Sequence, residues 1–160
     1  TYHEYTILDH NEFDFSRRRM SVVVQRTDNK RLLIVKGALE SLVTVAQSLE
    51  HKGEKVPLTS SVLREFMASA DEYRMKGYSI IGIAIKEWDQ ASSTKEDETD
   101  LCLVGFLAFI DPPRKSAKSS LEQMRKLGVH IKVLSGDDPL VTKSNFHFCA
   151  FCTQFQETIK

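Results

Sequence analysis

Four short clusters in this 160-residue chain carry side chains suited to holding a phosphate or a nucleotide. Ser135-Gly136-Asp137 follows an apolar stretch. There a glycine lets backbone amides approach a phosphate, and a carboxylate can hold Mg²⁺ or its water shell. Asp111-Pro112-Pro113-Arg114 sets a carboxylate close to a guanidinium on a stiffened backbone, since each proline fixes its own φ and restricts its predecessor. Such an arginine can take a phosphate or a ribose while staying oriented. Lys36-Gly37-Ala38 puts a mobile positive charge beside the start of a helix, where outward-facing amides favour anions. Phe13 precedes Arg17-Arg18-Arg19, so a ring able to stack on a purine lies near guanidinium groups able to face a base or phosphates.

Each cluster also has an ordinary structural reading. Ser-Gly-Asp is a common turn. The two prolines can be a rigid connector with a local ion pair, Lys36 a loop lysine, and Phe13 a core ring beside a solvated basic turn. The arginine triplet could be read as a nucleic-acid patch, but it has no aromatic-basic repeat around it and the net charge is zero. Cys149-x-x-Cys152 falls short of a structural zinc site, which takes four ligands; only His147 and His130 stand nearby as candidates.

The elements that must position these residues follow from pattern. Met20 to Gln25 is β-branched and reads as a strand. Thr27 to Lys30 is a polar turn, and Arg31 to Val35 is the returning strand of a hairpin. Leu39, Leu42, Val43 and Ala46 fall at helical spacing after Gly37. The chain turns around Gly53 and Pro57. Thr59 or Ser60 can cap a second helix with a stripe of Val62, Leu63, Phe66, Met67, Ala70 and Tyr73, and Gly77 suits its end. Tyr78 to Trp88 is a strand. Gln90 to Asp100 has no apolar period and reads as a flexible surface loop. Leu101 to Ile110, apolar on both faces, suits a central strand. Beyond Asp111 come a helix from about Ser116 to Leu127, with Ser119 and Glu122 as a candidate capping box, then Gly128, a short strand Val129 to Leu134, and the Ser135–Pro139 loop. Strand, helix, strand and acidic loop make a βαβ unit.

Composition bounds the rest. Twenty-two basic and 22 acidic side chains cancel, so no global field points to nucleic acid or an anionic membrane. The longest apolar run, Leu101 to Ile110, falls short of the roughly 20 residues a spanning helix needs. No secretory signal pattern opens the sequence. Three cysteines, an odd number, favour a reducing compartment over a disulfide framework.

Taken in order, Phe13 and Arg18, Lys36-Gly37-Ala38, the apolar strand near Ile80 to Ala84, Asp111-Pro-Pro-Arg114 and Ser135-Gly136-Asp137 resemble the nucleotide-binding and early phosphorylation-domain segments of P-type cation ATPases. FDFSRRRMSVVV, LLIVKGALE and GFLAFIDPPRKSA look most like the magnesium-transporting members, and the resemblance covers roughly residues 10 to 143. It implies an α+β fold, an antiparallel sheet with helices packed on it as the nucleotide-binding domain over 1–110. A partial α/β Rossmann-like, haloacid-dehalogenase-type piece of the phosphorylation domain over 111–144 and an atypical tail over 145–160 would follow. It assigns Phe13 to stacking on adenine, Arg18 to a position usually held by a lysine near the nucleotide, and Lys36 and Gly37 to the adenine pocket. Asp111 and Arg114 become the pair contacting ribose and phosphate, and Ser135, Gly136 and Asp137 the loop near the phosphoryl site. ATP and Mg²⁺ are the implied ligands. The implied partners are the remaining phosphorylation, actuator and transmembrane domains of one pump, with no nucleic acid, which makes this a cytoplasmic domain of a cell-membrane protein.

Departures from the pattern set limits. The phosphorylated Asp-Lys-Thr-Gly-Thr motif is absent from the sequence, so no catalytic nucleophile is expected here and the isolated chain is expected to be inactive. After Lys143 the likeness stops. Two rival readings stay open: a soluble haloacid-dehalogenase-type phosphohydrolase, whose Asp-x-Asp-x-Thr motif is missing, and a non-catalytic binding module. Calcium or protons are alternatives to magnesium as the transported ion.

Overall fold

A computed structural model describes residues 5–110, 116–129 and 141. These group into two compact units, one from the residues up to 67 together with 80–107, the other from 68–79 and the described residues beyond 107.

The first unit is organised by a sheet. Its strands are β1 (Tyr5–Asp14), β2 (Arg19–Arg26), β3 (Arg31–Gly37), β4 (Ala46–His51), β5 (Glu54–Pro57), β6 (Tyr78–Trp88) and β7 (Leu101–Ile110), in the spatial order β1-β2-β3-β6-β7-β4-β5. Helix α1 (Leu39–Val43) and the first part of helix α2 (Ser60–Met75) accompany it. The expected β2–β3 hairpin forms, with Val23 opposite Leu33 and Ser21 opposite Val35. All four are buried. The intervening positions Met20, Val22, Lys36 and Ile34 point to the other face, as the two-residue side-chain period of a strand requires.

Two expectations need correction. The helix anticipated through Ala46 stops at Val43, and Ala46–His51 is instead a strand that turns back at Lys52-Gly53 into β5. Burial decided against the helix: Ser48 and Leu49 are both buried as β4 pairs with β7. That pairing is parallel, so the sheet is mixed rather than antiparallel throughout. The core lies where these pieces meet, in Val23, Leu33, Val35, Leu42, Leu49, Ala84, Leu101 and Leu103, with Val62 and Phe66 of α2 packed against it. Thr59 caps α2 by accepting from the Val62 amide at 3.4 Å.

In the second unit, α2 ends as anticipated at Gly77, which takes φ 86°. Tyr73 packs edge-on against Tyr78 with centroids 5.8 Å apart. Helix α3 (Ala117–Lys126) closes on Gly128 at φ 74°. The Val129 amide donates to Met124 C=O and the Gly128 amide to Arg125 C=O, both at 3.0 Å, a Schellman closure that satisfies the last carbonyls. The anticipated capping box does not form, because Ser119 Oγ donates to the Ser116 carbonyl. Beyond Val129, the expected strand at 129–134 and the parallel βαβ unit built on it lie outside the described residues.

Candidate functional site

Four of the nine site residues inferred from sequence can be located: Phe13, Arg18, Lys36 and Gly37. Asp111, Arg114, Ser135, Gly136 and Asp137 lie outside the described residues, as does the Cys149–Cys152 pair.

The four meet at one corner of the sheet. Met20 of β2 lies opposite Lys36 of β3, and Lys36 opposite Ile83 of β6. On the outer side of β2, the register slips between Asn11 and Asp14, so that Glu12 and Phe13 together face the single residue Met20. This is a β-bulge, a device that re-aims a side chain. One row across four strands thus reads Phe13, Met20, Lys36, Ile83. Phe13 is 48% exposed, with its ring 5.2 Å from that of Phe15 in an edge-on contact. Lys36 is exposed, while Met20 and Ile83 are half-buried. The row therefore sets an exposed ring and an exposed lysine beside two half-buried apolar side chains.

Arg18 stands one step beyond this row, in the turn between β1 and β2. Its φ of 52° is left-handed, uncommon for a residue with a Cβ. Two backbone hydrogen bonds hold it so. Its amide donates to Asp14 C=O at 2.6 Å, and its carbonyl accepts from the Ala38 amide at 2.9 Å. The second bond ties the turn directly to the Lys36-Gly37-Ala38 corner. Gly37 is what permits that approach. A Cβ there would come within 2.7 Å of Arg19 Cα and closer still to the Arg18 carbonyl oxygen. The anion-attracting helix start expected at this corner is weaker than anticipated, because α1 is a single five-residue turn and the Ala38 amide is already engaged.

Sequence reasoning missed what lies beneath. The segment 90–100, expected to be a flexible surface loop, is fastened to the sheet. Glu98 is completely buried. It accepts from Arg17 Nη1 and, at 2.8 Å, from Arg19 Nε. Arg19 Nη1 donates to Ser41 Oγ at 2.9 Å, and Ser41 Oγ donates onward to the Arg17 carbonyl. Further along, the Ser93 amide donates to Asp9 at 2.9 Å, Asn11 donates to Ser93 Oγ at 3.0 Å, and Lys95 donates to Asp14 at 2.8 Å. A capping box between Thr94 and Asp97 opens a 3₁₀ turn, Lys95–Asp97. These contacts depress carboxyl pKa values: Lys95 and Ser16 hold Asp14 far below the usual range, the Ser93 amide lowers Asp9, and the Thr94 amide and hydroxyl lower Asp97. One signal was available in the sequence. Three successive arginines at the mouth of an apolar strand need a carboxylate partner, and Glu98 stands just before the apolar run of β7. Among the described residues, no group of His, Cys, Asp and Glu side chains could hold a metal ion, and no helix is long and apolar enough to cross a membrane.

Comparisons with known proteins bear on this arrangement. The profile of the family described as P-type ATPase, cytoplasmic domain N, matches residues 1–116. The chain is 35% identical over 142 residues to the magnesium-transporting ATPase, P-type 1, of Escherichia coli (strain K12), covering 88% of this chain and 16% of that protein. It is 38% identical over 139 residues to a magnesium-transporting ATPase, P-type 1, of Salmonella typhimurium (strain LT2), covering 84% and 15%. A calcium-transporting ATPase of Bacillus subtilis (strain 168) is 27% identical over 140 residues, covering 83% and 15%. The chain thus spans about one sixth of the length of these relatives.

Proposed function

This chain belongs to the P-type ATPase family, as its cytoplasmic domain N, and from that premise we propose that it binds ATP and positions it for phosphorylation of an aspartate elsewhere in the parent protein. The observation that carries the reading is the row Phe13, Met20, Lys36, Ile83, with Gly37 bringing the Arg18 turn against it. An exposed ring and two half-buried apolar side chains match an adenine, which is flat and needs little hydrogen bonding to be held. Lys36 and Arg18, both exposed, supply positive charge on the same corner for the phosphates.

Phosphoryl transfer depends chiefly on placing the γ-phosphate and neutralising its charge. This domain would do the placing. Phe13 stacks on the base, Met20 and Ile83 exclude water beneath it, and Arg18 and Lys36 orient the phosphate chain. Asp111 and Arg114 would grip ribose and phosphate at the exit of β7, with Ser135, Gly136 and Asp137 near the phosphoryl group. Mg²⁺ enters this reading only as counter-ion of the ATP phosphates. The parent protein would be a membrane-embedded pump that couples the phosphoenzyme cycle to ion movement, with actuator, phosphorylation and transmembrane domains as partners. Magnesium is the favoured cargo because identity is higher to the magnesium-transporting relatives than to the calcium-transporting one.

Calorimetric titration tests the site. Stacking on one aromatic ring is worth about 1–3 kcal/mol, so ATP should bind in the high-micromolar to millimolar range. Phe13→Ala should weaken it at least fivefold. Equal affinity in Phe13→Ala and the unsubstituted chain would contradict the pocket.

A further inference from the structure

We infer that Glu98 is a positioning residue of the nucleotide site, acting by holding Arg18 in its exposed, left-handed conformation through the two arginines that flank it. The inference rests on the ATP-binding reading above and adds a residue from a segment that contributes nothing to the Phe13–Ile83 row.

Arg17 and Arg19 both direct their guanidinium groups inward to one oxygen of Glu98, whereas Arg18 between them is exposed. Here one carboxylate clamps both neighbours of a third, which anchors the turn on either side of the exposed Arg18. Between these anchors Arg18 keeps its φ of 52°, the conformation that its two backbone hydrogen bonds close. Strained backbone of this kind persists where the surroundings impose it, and it gathers at functional sites. The clamp is also a costly way to fill an interior. Glu98 Oε1 has no hydrogen-bond partner among the described residues, and Arg17 Nε reaches only the Asp14 carboxylate, at 3.6 Å. Buried ion clusters are frequently matched or exceeded in stability by apolar residues of similar volume. What apolar residues would not supply is a fixed direction for Arg18. Ser41 completes the device by joining Arg19 to the Arg17 carbonyl and so to the Lys36–Gly37 corner.

A double-mutant cycle on ATP affinity, read by NMR titration of the full chain, tests this. Arg18→Gln should weaken ATP roughly tenfold, the scale of one charge-assisted hydrogen bond. Glu98→Gln should do the same, and the double variant should lose little beyond either single one, because residues acting as a unit are not additive. Losses that multiply towards a hundredfold, or an unchanged affinity in Glu98→Gln, would overturn the inference. If Glu98→Gln does not fold, Ser41→Ala takes its place, since it loosens the same clamp while leaving its charges balanced. An affinity loss of two- to fivefold that vanishes in the Arg18→Gln background supports the role, and no loss refutes it. Phe13→Ala and Lys36→Ala separate the two layers. If neither weakens ATP, the nucleotide reading falls and takes this role with it. If both do while the Glu98 and Ser41 variants bind normally, only the positioning role falls.

Discussion

Strand β2 has a turn at each end, and the two are built from similar parts. At its start, Asp14 to Arg18 reverses the chain with Arg18 at φ 52°. At its finish, Thr27 to Lys30 does so with Asn29 at φ 63°. Each pairs an arginine with an aspartate, Arg17 with Asp14 and Arg26 with Asp28. Their surroundings differ. The second turn reaches less far: Arg26 meets Asp28 at 2.7 Å in the open, the other bonds run among Gln25, Asn29 and Lys30, and a further link runs from Arg26 to Tyr5 on the neighbouring strand. The first is tied to residues up to 81 positions away, through Glu98 and Lys95. Local chemistry is enough to reverse a chain. Fixing a reversal against a second corner takes long-range charge and a glycine.

Substitutions should expose that difference, most of all at Glu98. Removing one partner of a buried ion cluster leaves uncompensated charge, so Glu98→Gln should cost about 3–5 kcal/mol in chemical denaturation. Asp28→Ala at the opposite turn should cost at most about 0.5 kcal/mol, as exposed pairs do. Comparable losses at the two ends would erase the distinction. Gly37→Ala ranks next, at about 1–3 kcal/mol or more, since its Cβ would press on backbone atoms of Arg18 and Arg19 that cannot swing away.

Acid provides a gentler probe. The carboxyls of Asp9, Asp14 and Asp97 have lowered pKa values in the fold. Their contribution is therefore complete above the unfolded-state value near 4 and is lost as pH falls below it towards the folded values. Amides of Ser16, Ser93 and Thr94 should lose protection from hydrogen exchange in that window before those of β3 and β6. Simultaneous loss throughout the sheet would contradict a separately fastened loop. The smallest effect is expected at Arg18→Gly, which relieves a left-handed residue of its Cβ. Stability should hold or rise by up to about 1 kcal/mol while ATP binding weakens, a divergence that thermal melts and titrations would show together.

The same contrast explains what could be read from residue order. The β2–β3 hairpin, helix α2 with its stop at Gly77, strand β6 and the Gly128 end of α3 rest on patterns within a few residues, and they formed where the patterns put them. The β4–β5 hairpin did not declare itself, because Leu39, Leu42, Val43 and Ala46 happen to sit at helical spacing. The antiparallel pairing with β5 and the parallel pairing with β7, some 55 residues on, together turn Ala46 to His51 into a strand. Of the site, Phe13, Arg18, Lys36 and Gly37 were legible as types. The bulge opposite Met20 that brings Phe13 into their row was not. Glu98 was hidden for a physical reason: a carboxylate in a charged segment looks solvated until its two arginines are found across the fold.

The most direct test of the central claim is an intermolecular NOE measurement on the ATP complex. Contacts from adenine H2 and H8 to the Phe13 ring and to the methyls of Met20 and Ile83 are the predicted result. Adenine contacts confined to other residues, with the Phe13 ring silent, would contradict the account.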